Sequence, residues 1–319
     1  MLRVLQSWPV RLVVTGAILA WLSRSVDMRA AWTALAGTDP AWFAAALALV
    51  ALDRLVMAWR WLLLLRSSGV GVDGSSALRI FLVSSFVGSF LPAGVGADAA
   101  RAYSLAARTS QGSEAVASVA VDRVLGLVAT VALGVAGVLA WATHLAPGLR
   151  QGAVMLALFA GTGSALVLWT DRWLPLLVPA SARGSRWVSR CVRLGDAIGR
   201  YRGRRGAVTA VFALSLAVQL LRVLQAYCLG RGLAIDLGLG YYLVFMPIAL
   251  IVLLLPVSIS GFGLPQGVIV GLLDPVGVPR PASFALSTLI VVIALLGNLP
   301  GAVLYLHRRE AKHKLGPAR

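Results

Sequence analysis

Two hydrophobic segments of this chain are interrupted in the middle, and the interruptions are alike in composition. The first apolar run breaks at LPAGVG, residues 91–96, and the second breaks at PVSISGFG, residues 256–263. Proline lacks a backbone donor and glycine is a poor helix former, so regular helix ends at both places. The residues that form the two breaks are Pro92, Gly94, Gly96, Pro256, Gly261 and Gly263.

Irregular backbone is tolerated within a bilayer only where protein covers it or a water-filled cavity adjoins it. Broken segments at corresponding places in two halves of a membrane protein point to a binding site near the bilayer midplane. The two breaks therefore predict that both segments line one central cavity.

Composition places the chain in the membrane. Its 319 residues are 59% hydrophobic and 13% charged, which excludes an ordinary soluble domain and favours an all-α polytopic bundle. The net charge of +17 comes almost entirely from 27 arginines, which lie mostly between apolar runs. The positive-inside rule explains this placement, and without a basic and aromatic recognition module we expect no nucleic-acid partner.

Apolar runs of about 20 residues predict six full spans, and the broken segments predict two re-entrant hairpins. We expect a single membrane domain over residues 1–319. Its parts are a first span and interfacial segment (1–40), a first half (41–145) with re-entrant segment 77–96, a connecting span and Arg-rich cytoplasmic loop (146–206), a second half (207–306) with re-entrant segment 241–273, and a basic tail (307–319).

Orientation follows from the basic segments. Residues 171–206 hold nine arginines against two aspartates, so this loop and the tail are predicted to be cytoplasmic. The number of membrane crossings agrees with these cytoplasmic positions only if each broken segment leaves the membrane on the side it entered. One segment then enters from the cytoplasm and the other from outside. This predicts an inverted repeat in the cytoplasmic (inner) membrane with both termini inside.

The Arg-rich loop also has an amphipathic spacing around residues 187–198. One interpretation is a helix that lies on anionic headgroups. The other, which we favour, is a solvated cytoplasmic loop. Small-residue faces such as residues 126–137 would permit close helix contacts, including those of a homo-oligomer.

Charged side chains inside spans are costly and usually face a cavity or one another. Asp53, Asp122, Arg123 and Arg222 lie within predicted spans, and we favour a cavity for them over packing alone. Arg60 lies near a span end, where we expect it to extend to the interface. Gln219 and Gln225 flank Arg222 at three-residue spacing and predict one polar stripe.

The breaks add four polar candidates. Asp98 begins the helix after the first break, where capping is its simplest role. Arg101 lies one turn further on, and its guanidinium is suited to bind a phosphate bidentately. Ser258 and Ser260 of the second break either line the cavity or bind backbone groups freed by Pro256.

No catalytic, metal or cofactor site is expected. The three histidines lie at span ends or in the tail, and Cys191 and Cys228 are isolated in the sequence. The serines lack the G-x-S-x-G pattern of a hydrolase. We therefore expect a protein that is not an enzyme and that has no cofactor.

Three segments in order resemble the transmembrane domain of lysylphosphatidylglycerol synthases. They are FLVSSFVGSFLPAGVGADAARAYSLA, VDRVLGL and LLPVSISGFGLPQG. The resemblance covers most of the chain from residue 41 to the last span. Asp122 stands for the family's usual glutamate and Ala97 for a common glycine, which affects the expected headgroup selectivity.

The resemblance implies a stand-alone lipid flippase with two re-entrant helices. Its substrate would be an anionic or phosphate-bearing lipid of the phospholipid, polyprenyl or hopanoid type. From the residues themselves, our hypothesis is that the phosphate faces Arg101, Arg123 or Arg222 while Asp53 and Asp122 orient these arginines. The alternatives are a membrane-embedded lipid-modifying transferase and a lipid-binding scaffold that recruits partners through the Arg-rich loop.

Overall fold

The computed structural model describes residues 26–91, 96–109, 112–140, 147–178, 186–253 and 264–314. Every regular element in these ranges is helical, which confirms the predicted all-α membrane bundle. The helices are α1 (Met28–Ala36), α2 (Pro40–Ser67), α3 (Gly74–Gly88), α4 (Gly96–Ala106), α5 (Gly112–Ala140), α6 (Pro147–Leu168), α7 (Thr170–Leu177), α8 (Arg186–Arg202), α9 (Arg205–Gly232), α10 (Leu239–Leu253), α11 (Leu264–Leu273), α12 (Arg280–Leu296) and α13 (Leu299–Lys314), with a 3-10 turn at Asp274–Val276.

The long apolar helices match five of the six predicted spans. The segments long and apolar enough to cross a membrane are Pro40–Ser67, Gly112–Ala140, Arg150–Leu168, Arg205–Gly232 and Arg280–Leu306. The predicted first span, residues 10–22, lies outside the described residues. Helix α2 shows why such a span begins where it does: the Asp39 carboxylate accepts a hydrogen bond from the backbone of Ala41, and Pro40 occupies the first turn.

The helices that precede the two breaks are short. α3 and α10 have 15 residues each, so each is about 22 Å long and shorter than the roughly 30 Å of hydrocarbon. α3 contacts α4, and α10 contacts α11. Gly88 at the end of α3 lies so close to Ala97 in α4 that a Cβ on the glycine would overlap it. These contacts fit hairpins, although re-entry from opposite sides stays a prediction.

Most of the residues at the breaks lie outside the described part of the chain. Gly96 begins α4. The others, Pro92, Gly94, Pro256, Ser258, Ser260, Gly261 and Gly263, are not among the described residues, so their predicted roles stay predictions.

Helices of each half pack against helices of the other half. The helices that open each half, α2 and α9, pack against each other through the centre of the bundle. α5, which closes the first half, packs on α10 of the second; α13, which closes the second, packs on α3 of the first. Within each half the second hairpin arm packs on the next long helix, α4 on α5 and α11 on α12. A two-fold repeat would produce such an exchange of partners, and the inverted repeat itself stays a prediction.

The last predicted span is interrupted. Its helix stops at Leu296, turns at Gly297 and Asn298, and resumes at Leu299 with Pro300 in its first turn. Gly297 packs on Val50 of α2, where a Cβ would overlap the valine side chain. The turn therefore brings the backbone of this segment into close contact with α2 and carries Asn298 into the bundle.

The amphipathic segment of the Arg-rich loop is helical, and the end of its apolar face packs on the bundle. Ala197, Ile198 and Tyr201 of α8 are buried in a cluster with Val121 of α5 and Val211 of α9. The helix is thus packed on the bundle through these three residues, and contact of its arginines with anionic headgroups stays a prediction.

The end of α8 is held by an ion pair. The Arg202 guanidinium donates to the Asp171 carboxylate at 2.6 Å, and this hydrogen bond lowers the pKa of that carboxyl. The pair therefore holds at neutral pH and would be lost only as the pH falls through the lowered pKa.

We expect Gly301→Ala in α13 to destabilise the fold. A Cβ there would overlap the carbonyl oxygen of Leu82 in α3, and a backbone group cannot rotate away. Overpacking of this kind costs about 1–3 kcal/mol. The matched control is Gly163→Ala in α6, whose Cβ would have no neighbour within 4 Å. Thermal unfolding of the two purified variants in detergent measures this loss of stability. Equal unfolding temperatures would contradict the close α3–α13 contact.

Candidate functional site

A polar cavity of about 350 Å³ lies in the centre of the bundle and is partly open to the outside. Its walls come from α2, α3, α4, α5 and α9, with Leu250 of α10 and Asn298 of the last interruption. Elements from both halves thus meet around one space. Its charged lining residues are Arg54, Arg60, Asp98, Arg101, Asp122, Arg123 and Arg222.

Asp122 of α5 is the centre of the most deeply buried part of the site. One carboxylate oxygen accepts from Arg60 Nε at 2.7 Å and the other from Arg101 Nη2 at 3.1 Å. Only 2% of the Asp122 side chain is exposed. Arg60 also donates to Ser215 Oγ of α9 at 3.1 Å, so this cluster ties α2, α4, α5 and α9 together.

Arg101 contacts two carboxylates and two aromatic rings, while its Nε has no hydrogen-bond partner among the described residues. Besides Asp122, its guanidinium donates to Asp98 at 2.9 Å. The guanidinium carbon lies 5.1 Å from the ring centroid of Trp61 and 5.6 Å from that of Phe81, within the range of cation–π contacts. Arg101 is the arginine that the sequence favours for phosphate, but its side chain is 5% exposed and its Nη2 is shared by two carboxylates. It is better placed to support the site than to exchange partners.

A second acidic centre, Asp53 of α2, holds two arginines loosely. Its carboxylate lies 3.3 Å from Arg222 Nε and 3.5 Å from Arg54 Nη1. Both distances exceed the roughly 2.7–2.9 Å typical of charge-assisted hydrogen bonds. The Arg222 side chain is 27% exposed to the cavity and that of Arg54 is 17% exposed.

The third acidic centre is Asp98, in the first turn of α4. Its second oxygen lies 3.2 Å from Arg123 Nη1, and 42% of the Arg123 side chain is exposed. The carboxylate of Asp98 is therefore engaged by two arginines, which goes beyond the capping role expected from the sequence.

The charges of the site do not cancel. Five arginines line the cavity, and the three aspartates that bind them leave a surplus of two positive charges. The sequence placed Asp53, Asp98, Arg101, Asp122, Arg123 and Arg222 among its candidates, and the structure brings all six together around this cavity. Within the described residues no three His, Cys, Asp or Glu side chains converge to hold a metal ion.

Arg60 departs from its expected place. Instead of extending to the interface it is 3% exposed and bound to Asp122, because α5 and α9 cover that face of α2. Of the predicted polar stripe on α9, Gln219 and Arg222 line the cavity while Gln225 is buried elsewhere.

Several lining residues were not among the predicted candidates. Arg54 directly follows the candidate Asp53, so its position in the sequence could have identified it. The serines of α3 precede the first break, and Asn298 precedes Pro300. Their closeness to a helix break could have identified these polar residues as lining residues. The uncharged polar lining residues are Ser84, Ser85, Ser89, Thr130, Gln219 and Asn298.

Comparison with known proteins shows which family the chain belongs to. No curated protein matches the chain. The family model described as the lysylphosphatidylglycerol synthase TM region matches residues 8–301, a range that includes both broken segments and every charged residue of the cavity. The chain is therefore a membrane protein that belongs to the lysylphosphatidylglycerol synthase transmembrane family, a family connected with lipid handling.

Proposed function

We propose that the protein binds the phosphate of an anionic membrane lipid in the central cavity and moves that lipid between the leaflets. The observation that carries the proposal is the surplus of two positive charges within a membrane-embedded bundle. Net charge is costly where the dielectric is low, so an anion that completes the charge balance is stabilised there.

Three arginines are the candidates to exchange a carboxylate contact for a phosphate. Arg54, Arg222 and Arg123 make longer contacts with their aspartates than the 2.7 Å contact of Arg60 with Asp122. Exchanging a long carboxylate contact for a phosphate costs little, whereas exchanging the short buried one costs more. The substrate would thus meet guanidiniums on α2, α5 and α9.

The cavity has room for a headgroup rather than for a whole lipid. Its volume of about 350 Å³ is at the lower end of the roughly 300–1,000 Å³ found for small-molecule pockets. The acyl or polyprenyl chains would stay in the bilayer while the phosphate crosses through the polar interior. Such a path spares the headgroup from the hydrocarbon core.

Movement between leaflets would come from the two halves. The exchange of partners between α5 and α10 on one side and α13 and α3 on the other gives two similar interfaces. Rocking about the central α2–α9 contact would open one interface as the other closes, which is the usual route to alternating access in repeat-built transporters.

The proposal predicts phosphate-bearing lipid bound to the purified protein. Native mass spectrometry should detect such lipid on the wild type and about tenfold less on a double variant with Arg54→Gln and Arg222→Gln, because each lost charge-assisted contact weakens binding. The matched control is Arg66→Gln with Arg79→Gln, which removes the same charge from exposed positions outside this cavity. Equal occupancy in the two double variants would rule out phosphate binding at the cavity.

A further inference from the structure

Two amide side chains line the cavity, and each keeps a buried oxygen without a partner among the described residues. Gln219 of α9 donates its Nε2 to the carbonyl oxygen of Gly126 at 3.2 Å. Asn298 donates its Nδ2 to Ser89 Oγ at 2.8 Å. The remaining oxygens, Gln219 Oε1 and Asn298 Oδ1, have no hydrogen-bond partner among the described residues.

The orientation of both amides is fixed by their partners. The Gly126 carbonyl only accepts, so the Gln219 nitrogen must face it. Ser89 uses its hydroxyl hydrogen on the carbonyl oxygen of Ser85, at 3.1 Å, and is left to accept from Asn298. Both amides therefore present acceptor oxygens, and a buried acceptor without a donor is unfavourable.

The chain positions of both amides are close to the loosely held arginines. Gln219 and Arg222 are three residues apart on α9 and share a face. Asn298 follows Gly297, where a Cβ would lie 3.4 Å from Arg54 Nε. A ligand with anionic oxygens for the guanidiniums and hydrogen-bond donors beside them would satisfy both groups at once.

We propose that Gln219 and Asn298 determine headgroup specificity by accepting hydrogen bonds from neutral hydroxyl groups next to the lipid phosphate. This inference rests on the proposed function and narrows its substrate class. An ammonium group would also donate, but the surplus positive charge of the cavity disfavours a cationic headgroup. A hydroxylated, net anionic headgroup fits the charge and the acceptors together.

The experiment compares two lipids of equal charge that differ in the hydroxyls. Short-chain phosphatidylglycerol and phosphatidylmethanol are titrated onto the purified full-length protein in detergent, with phosphatidylethanolamine as the amine-bearing arm. We expect the wild type to bind phosphatidylglycerol about tenfold more tightly than either of the others. Gln219→Met and Asn298→Leu should each reduce this preference severalfold. Gln225→Met, a buried amide on the same helix that does not line the cavity, should retain it.

The outcomes separate this inference from the proposed function. Equal affinity for phosphatidylglycerol and phosphatidylmethanol in the wild type would overturn the inference and leave phosphate binding standing. Equal or tighter binding of phosphatidylethanolamine would also overturn it. If neither anionic lipid binds, the proposed function and the inference both fail. Full retention of the preference in folded Gln219→Met and Asn298→Leu variants would overturn the assignment of specificity to these residues.

Discussion

Asp122→Asn should be the most destabilising conservative substitution in the cavity. It keeps the shape of the side chain and one acceptor oxygen but removes the negative charge between Arg60 and Arg101. Both guanidiniums are nearly fully buried, so neither can recover its hydration without moving a helix. Breaking a buried ion pair by removing one partner costs about 3–5 kcal/mol. Thermal unfolding in detergent should show the loss directly.

Asp98→Asn provides the matched control for this prediction. It removes the same charge from the same cavity, but Asp98 is 20% exposed and Arg101 keeps its contact with Asp122. The surface-like pair with Arg123 contributes only about 0–1 kcal/mol. If Asp98→Asn unfolds as easily as Asp122→Asn, the buried cluster is not the structural centre of the site.

Arg222→Gln should cause a large loss of lipid translocation and little loss of stability, in contrast to Asp122→Asn. Arg222 makes a 3.3 Å contact with Asp53, which would still have Arg54 nearby at 3.5 Å. A hydrogen bond to a charged group is worth about 1.5–3 kcal/mol, so the rate should fall about tenfold to a hundredfold. Fluorescent-lipid translocation in proteoliposomes measures the rate, and thermal unfolding measures the stability.

Arg231→Gln is the control on the same helix. Arg231 lies in the last turn of α9, is 43% exposed and contacts the exposed Asp236 at 3.4 Å. It carries the same charge but lies outside the cavity. Similar slowing of translocation by both variants would show that the effect of Arg222 is not specific to the cavity.

Sequence reasoning reached the architecture because the membrane imposes strong rules. Long apolar helices such as α2 and α9 follow directly from hydropathy, since backbone groups in lipid must be satisfied within the segment. The interruption before Asn298 was harder to foresee, because the apolar run around it continues on both sides. Pro300 cannot donate a hydrogen bond to the carbonyl of Leu296, which is a local cause, whereas the close packing of Gly297 on Val50 is tertiary.

The charged residues that line the cavity were also largely predictable from the sequence, but the contacts among them were not. Charged residues inside spans mark a cavity whatever their partners are. Which arginine is held and which is available depends on distances between helices far apart in sequence. Arg60 and Arg101 share Asp122 because α2, α4 and α5 meet there, and no spacing within one helix contains that information.

Leaflet exchange in reconstituted vesicles tests the central claim most directly. Vesicles carrying a trace of an acyl-labelled anionic phospholipid are treated from outside with a membrane-impermeant reductant that destroys the fluorophore. With the wild-type protein present, the signal of both leaflets should be lost, because inner-leaflet lipid is carried outward. If protein-containing vesicles lose only the outer-leaflet signal, as protein-free vesicles do, for every anionic headgroup tried, the account of lipid translocation is contradicted.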